Sequence, residues 1–164
     1  MEGREEMITL RDTVEIETPP QKIFEWFAHL DENFRTWHPK DHVECRYLKG
    51  SPLEQDSVLY FEVYLLGKLQ KAKFHITNVV PNSKIEYRLG FPLSLLGGGG
   101  AFIMEPRGAD SVFIQDVYLG RKTPLLGTML DVFIKIFLGR LNEDYKRHIA
   151  EEGQNLKTIM EEGT

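Results

Sequence analysis

A single cysteine, Cys45, stands among 164 residues. No intramolecular disulfide can brace the fold, and a lone cysteine in a strand-like run is a small buried apolar residue before it is a nucleophile. Positive charge in blocks is also missing. The 20 Lys and Arg are outnumbered by 25 Asp and Glu, for a formal net charge of -5, and no basic strip interleaved with aromatics occurs, which removes the electrostatic footprint of a nucleic-acid binder. There is no long uncharged apolar run: the greasiest stretch, LLGTMLDVFIKIFLG, carries Asp131 and Lys135. The charged start, MEGREEMITLRD, lacks the apolar core of a signal peptide. These absences point to a cytoplasmic protein with neither membrane nor nucleic acid as partner; a homodimer is compatible with them. Internal repeats are missing too, and the one low-complexity piece, SLLGGGGAF, reads as the entry to a strand rather than as a flap. At 41% hydrophobic and 27% charged residues, what remains is one globular domain over residues 1–164 with a sizeable core.

The periodicities say how that core is built. MITLRDTVEIE alternates as a strand, TPP breaks it and supplies a threonine cap and prolines, and QKIFEWFAHL places Ile23, Phe24, Phe27 and Leu30 on one helical stripe. A second short helix, DENFRTW, ends before Pro39. VECRYLKG, SVLYFEVYLLGKLQKAKFHITNVV with a turn at LLGK, KIEYRLGF, AFIMEPRG and DSVFIQDVYLG then read as an antiparallel meander. A helical region follows from about Pro124 to Met160. Strand, two helices, about six strands and a long helix make an α+β domain in two layers, in which the terminal helix covers the apolar face of a curved sheet and leaves a cavity between them.

That terminal helix is inconsistent with a purely apolar contact. At 100 degrees per residue, Leu130, Ile134, Phe137, Leu141, Tyr145, Leu156 and Ile159 share an arc of about 100 degrees, and His148 and Glu152 lie near its middle. Glu151 and Lys157 point away. A buried carboxylate needs a partner, and the i, i+4 spacing lets His148 and Glu152 converge, either as a simple ion pair or as two ligands of one metal. RTWHPKDHVEC, with His38, Asp41 and His42, offers further candidate ligands. Glu62 is ambiguous: parity groups Leu59, Phe61, Val63 and Leu65 on one face and sets Glu62 with Tyr60 and Tyr64 on the other, which favours solvent unless that aromatic face lines a polar cavity.

Over nearly the whole chain the layout resembles the Bet v 1-like, START-related superfamily with its helix-grip fold. WHPKDH, a strand glutamate (Glu62) with Gly67 shortly after it, and HxxxE on the terminal helix resemble the phloretin hydrolase and diacetylphloroglucinol hydrolase family. That resemblance implies zinc (alternatively manganese or iron) on His42, Glu62, His148 and Glu152, and hydrolysis of a carbon-carbon bond next to a ketone on a phenolic ring. It leaves His38 either bracing the loop or supporting catalysis, and Asp41 orienting His42. Phe34 stands where a substrate-contacting tyrosine is expected. Tyr47, Tyr60, Tyr64, His75, Arg88 and Tyr118 are candidates to orient a phenol. The alternatives are a non-enzymatic carrier of an apolar or aromatic small molecule and a metal-free polyketide cyclase or dehydratase using a His/Glu acid-base pair.

Overall fold

The computed structural model of the chain describes residues 7–90, 94, 98–120 and 128–163, and within them the side chains of 9–90, 94, 98–118 and 139–163. Alternation makes β1, Met7–Ile16, bury Leu10, Val14 and Ile16 while Arg11, Thr13 and Glu15 face out. The break after it starts α1, Pro20–Ala28, but Pro19 occupies the N-cap position and no side chain caps the helix, so Thr18 is not the expected cap. α2, Leu30–Trp37, follows at once; both bury their apolar stripes, Ile23 and Phe27 on the first, Leu30, Phe34 and Trp37 on the second.

Six strands succeed them: β2 (His42–Lys49), β3 (Val58–Leu65), β4 (Lys68–Val80), β5 (Lys84–Leu89), β6 (Gly99–Arg107) and β7 (Asp110–Gly120). With β1 they form one antiparallel sheet in the order β1-β7-β6-β5-β4-β3-β2. α3, Thr128–Glu162, lies across it and packs mainly on β1. The layout is the one expected from the strand and helix periods. No helix among the described residues is long and apolar enough to cross a membrane.

The last two glycines of the run are explained by close approach. Gly99 and Gly100 are the first residues of β6, and a Cβ on Gly100 would lie 2.3 Å from the Asp116 carbonyl oxygen and 2.5 Å from the Tyr87 hydroxyl. Backbone cannot step aside cheaply, so Gly100→Ala is expected to cost about 1–3 kcal/mol of overpacking. A thermal melt checks this; an unchanged Tm would contradict it.

Candidate functional site

His42 opens β2 opposite Val63, and a register shift separates it from the Glu44–Glu62 pair. That irregularity lets both His42 and Cys45, three residues apart, turn inward, where strict alternation would not. On the other side of the cavity, α3 carries His148 and Glu152 one turn apart, both buried. The three side chains meet. His42 Nε2 lies 2.9 Å from Glu152 Oε1, His148 Nε2 lies 3.3 Å from the same oxygen, and the two imidazole nitrogens are 3.3 Å apart.

The partners on the far side of each ring decide what faces inward. His42 Nδ1 is 2.7 Å from the Phe34 carbonyl oxygen, which only accepts, so Nδ1–H donates and Nε2 is the nitrogen turned inward, with a lone pair to offer when the ring is neutral. His148 Nδ1 is 3.2 Å from Asp41 Oδ2 and donates to it by the same reasoning. Glu152 accepts a hydrogen bond on Oε2 from Gln115 Nε2, which leaves Oε1 to face the imidazoles. With both rings neutral, three acceptors point at one spot. Protons on His148 Nε2 and His42 Nε2, each donated to Glu152 Oε1, are one way to satisfy the cluster. A cation at the centre satisfies all three at once. A tetrahedral zinc with bonds of about 2.0–2.1 Å holds its ligand atoms about 3.3 Å apart, so the donor set fits such an ion, and two histidines with one glutamate is a ligand set of zinc sites that keep a position open. Outer hydrogen bonds of the kind made here by Phe34, Asp41 and Gln115 commonly fix such ligands.

Without a metal, the pair is electrostatic. Burial alone would keep His148 neutral, but Glu152 and then Asp41 outweigh it and raise the imidazole to about 9. Burial likewise opposes ionisation of Glu152, and His148 followed by His42 overrides it, holding the carboxyl well below the usual range. The two shifts set opposite limits. The His148 contribution is complete below its ordinary pKa of 6.5 and is lost as pH rises through about 9; the Glu152 contribution is complete above the ordinary 4.5 and is lost as pH falls below it. Chelator-treated protein is therefore expected to melt highest between pH 4.5 and 6.5 and to lose stability toward pH 9. A flat Tm across that range would contradict the pairing.

The cluster lines a cavity of about 50 Å³ whose remaining wall is, apart from Gln115, apolar or aromatic, with Phe34, Phe61, Phe74, Tyr87, Phe102 and Tyr145 among its lining. That space holds a few waters, whereas ligand pockets run from roughly 300 Å³ upward. A ring-sized ligand must part the aromatic wall.

The structure brings together His42, His148 and Glu152 of the four expected ligands, and does not bring Glu62. Phe61, Val63 and Leu65 line the cavity, and Glu62 stands on the opposite face of β3, accepting from the Tyr60 hydroxyl at 2.6 Å and pairing with Lys71 at 3.1 Å. Parity was the sounder guide there. Asp41 orients His148 rather than His42, and His38 braces from outside: its Nδ1 accepts the Asp41 backbone N–H at 3.2 Å while Nε2–H donates to Glu151 at 2.7 Å. Neither is among the residues lining the cavity. Glu151, read from the helix period as pointing idly away, is half-buried against His38 and Arg147. Phe34 stacks on His42 with ring centroids 3.8 Å apart, which gives the departure from tyrosine a structural use. None of the six phenol-orienting candidates lines the cavity; Tyr87, Tyr145 and Gln115 do. Gln115 was legible by the same signal as His148, a polar residue in an apolar stripe between Phe113 and Val117.

A family model described as "Polyketide cyclase / dehydrase and lipid transport" matches residues 7–161. No curated protein matches the chain in sequence. Among solved structures, a START superfamily protein from Mycobacterium smegmatis is 18% identical, with 96% of this chain and 99% of that one covered at a TM-score of 0.68. An aromatase/cyclase from a Streptomyces species is 15% identical, with 96% and 98% covered at 0.65. A major latex-like protein from Panax ginseng is 14% identical, with 87% and 97% covered at 0.60. At such identities the likeness shows the fold, and it is the helix-grip fold that the sequence resembles.

Proposed function

Because the chain belongs to the polyketide cyclase/dehydrase and lipid transport family, we propose that its cavity binds an aromatic or polyketide-like small molecule whose polar end meets His42, His148 and Glu152. One observation carries this: two imidazole nitrogens and a carboxylate oxygen lie within 3.3 Å of one another in a cavity otherwise walled, Gln115 apart, by apolar and aromatic side chains. Without metal, the cluster supplies acid and base together. The His148 imidazolium donates a proton toward a ligand carbonyl oxygen, and Glu152 or neutral His42 accepts one from a neighbouring C–H or O–H, as cyclisation or dehydration of a polyketide requires. A carrier in this scaffold would use the same groups to hold the polar end and turn nothing over.

The convergence of three acceptors favours a second reading, in which His42, His148 and Glu152 hold a divalent metal (zinc first, manganese or iron otherwise) and the substrate is an acylated phenol cleaved at the carbon-carbon bond beside its ketone. Bound there, the metal would supply a Lewis acid and, from water, a nucleophile at neutral pH. The protein's own part is orientation. The Phe34 carbonyl and Asp41 fix the two rings, Gln115 holds the carboxylate, His38 braces the Asp41 turn, and the aromatic wall keeps bulk water out.

Elemental analysis of the purified protein, followed by incubation of metal-loaded protein with an acylphenol and assay for released carboxylic acid, separates these readings. Stoichiometric metal with acid release supports the hydrolase; ligand binding by metal-free protein without acid supports the cyclase or carrier. Failure to bind any aromatic ligand would sink both.

A further inference from the structure

Gln115 has one end explained and one end not. It sits on β7 between Phe113 and Val117, is 4% exposed, and lines the cavity. Its Nε2 donates to Glu152 Oε2, and since a carboxylate only accepts, this fixes which way the amide is turned. Oε1 is then a buried acceptor with no hydrogen-bond partner. The other such atom among the described residues, Asn142 Oδ1, belongs to a residue outside the cavity lining. Holding Glu152 accounts for the nitrogen alone. A methionine would fill the same volume without leaving a costly unpaired oxygen, so the oxygen needs a donor that enters the cavity. The missing partner is therefore a donor on the ligand and not another carbonyl or an ether; on an aromatic or polyketide-like molecule that donor is a hydroxyl.

We propose that Gln115 Oε1 accepts a hydrogen bond from a ligand hydroxyl, and so selects phenols or enols over rings of the same shape that lack the O–H. The inference rests on the reading of the cavity as a binding site for aromatic small molecules.

The test is isothermal titration of the ortho, meta and para hydroxyacetophenones against their methyl-substituted counterparts, a methyl group being close in size to a hydroxyl. Wild-type protein and Gln115→Met are compared, with a thermal melt to confirm folding. At least one hydroxy isomer is expected to bind wild type about tenfold or more tightly than its methyl counterpart, since a site built to pair an O–H rejects the analogue without it. In Gln115→Met that preference disappears, read as the ratio of hydroxy to methyl affinities within the variant, so that any general loss from releasing Glu152 cancels. Where Gln115→Met does not fold, Gln115→Asn, which withdraws the amide by one methylene, takes its place with the preference expected to shrink. Equal or tighter binding of the methyl compounds to wild type would overturn the proposal and leave a cavity water as the partner of Oε1. Persistence of the preference in Gln115→Met would overturn it as well, by showing that another group reads the hydroxyl. If no ring of either kind binds, the small-molecule reading falls together with this one; equal binding removes this one alone.

Discussion

Glu152→Ala is expected to abolish stoichiometric zinc binding and to lower the Tm of the metal-free protein by about 10 °C, the larger part from stranding the charge on His148. Glu152 Oε1 is the atom shared by both imidazoles, and its other oxygen is tied to Gln115. Removing one partner of a buried pair costs about 3–5 kcal/mol where the remaining charge is left uncompensated; Asp41, still 3.2 Å from His148 Nδ1, holds the loss to the lower end, and for a chain of this size each kcal/mol moves Tm by about 2–4 °C. Glu152→Gln separates hydrogen bonding from charge. The glutamine amide can accept from Gln115 and donate an N–H to His42 Nε2, recovering about 1 kcal/mol of hydrogen bonding, but like alanine it leaves His148 without the carboxylate, so its Tm should lie only a few degrees above that of Glu152→Ala. A neutral amide is a far poorer metal ligand than a carboxylate. Since loss of an outer partner alone costs about 10–100-fold in affinity, loss of the ligand itself should exceed the upper end. Zinc titration against a competing chelator, beside calorimetric melts of both variants, checks the pair of claims. Zinc affinity unchanged in Glu152→Gln would remove the metal reading, and a wild-type Tm in Glu152→Ala would remove the electrostatic one.

What could be read in advance follows from which forces act locally. His148 and Glu152 were visible because the helical period assigns a face, and two polar residues on the apolar face demand a partner. The period of two was equally reliable for Glu62, whose place on the outer face of β3 with Tyr60 and Lys71 is what alternation implies. The ligand role suggested for it by family resemblance conflicts with that parity. The pairing of Asp41 with His148 could not be read, because a turn and a helix 107 residues apart meet only through the sheet. The inward turn of His42 depends on a register irregularity that composition does not announce. The glycine run was legible as the entry to a strand, whereas the contact that Gly100 serves, leaving room for the Tyr87 ring and the Asp116 carbonyl, was not. Helix-facing and sheet-facing choices are thus local and legible. The closing distances belong to tertiary packing and are not.

Trp37→Ala should be among the most damaging single substitutions in the core and should weaken the site with it. Trp37 is 2% exposed and meets Trp26, Phe27, Phe102 and His42 edge-on, with ring centroids 5.4–5.7 Å apart. Its Nε1–H donates to the Glu152 backbone carbonyl at 2.9 Å, and its own carbonyl accepts from Asn155 Nδ2 at 2.9 Å, so it ties the end of α2 to the turn of α3 that carries the carboxylate. Truncating a buried tryptophan costs about 3–5 kcal/mol in lost transfer energy and residual cavity. Here the void opens beside His42, whose ring it helps to hold against Phe34. Trp26→Ala is the control, since Trp26 belongs to the same aromatic cluster but is only half-buried and has no contact with His42 or α3 in that set. Chemical denaturation with ligand or metal titration should show Trp37→Ala losing both stability and site affinity, Trp26→Ala losing less of the first and little of the second. Trp37→Phe keeps most of the ring and drops the N–H, so it should fall between them. Equal losses for Trp37→Ala and Trp26→Ala would show that the tryptophan serves the core alone, and that the approach of α2 to α3 at Glu152 is held by other contacts.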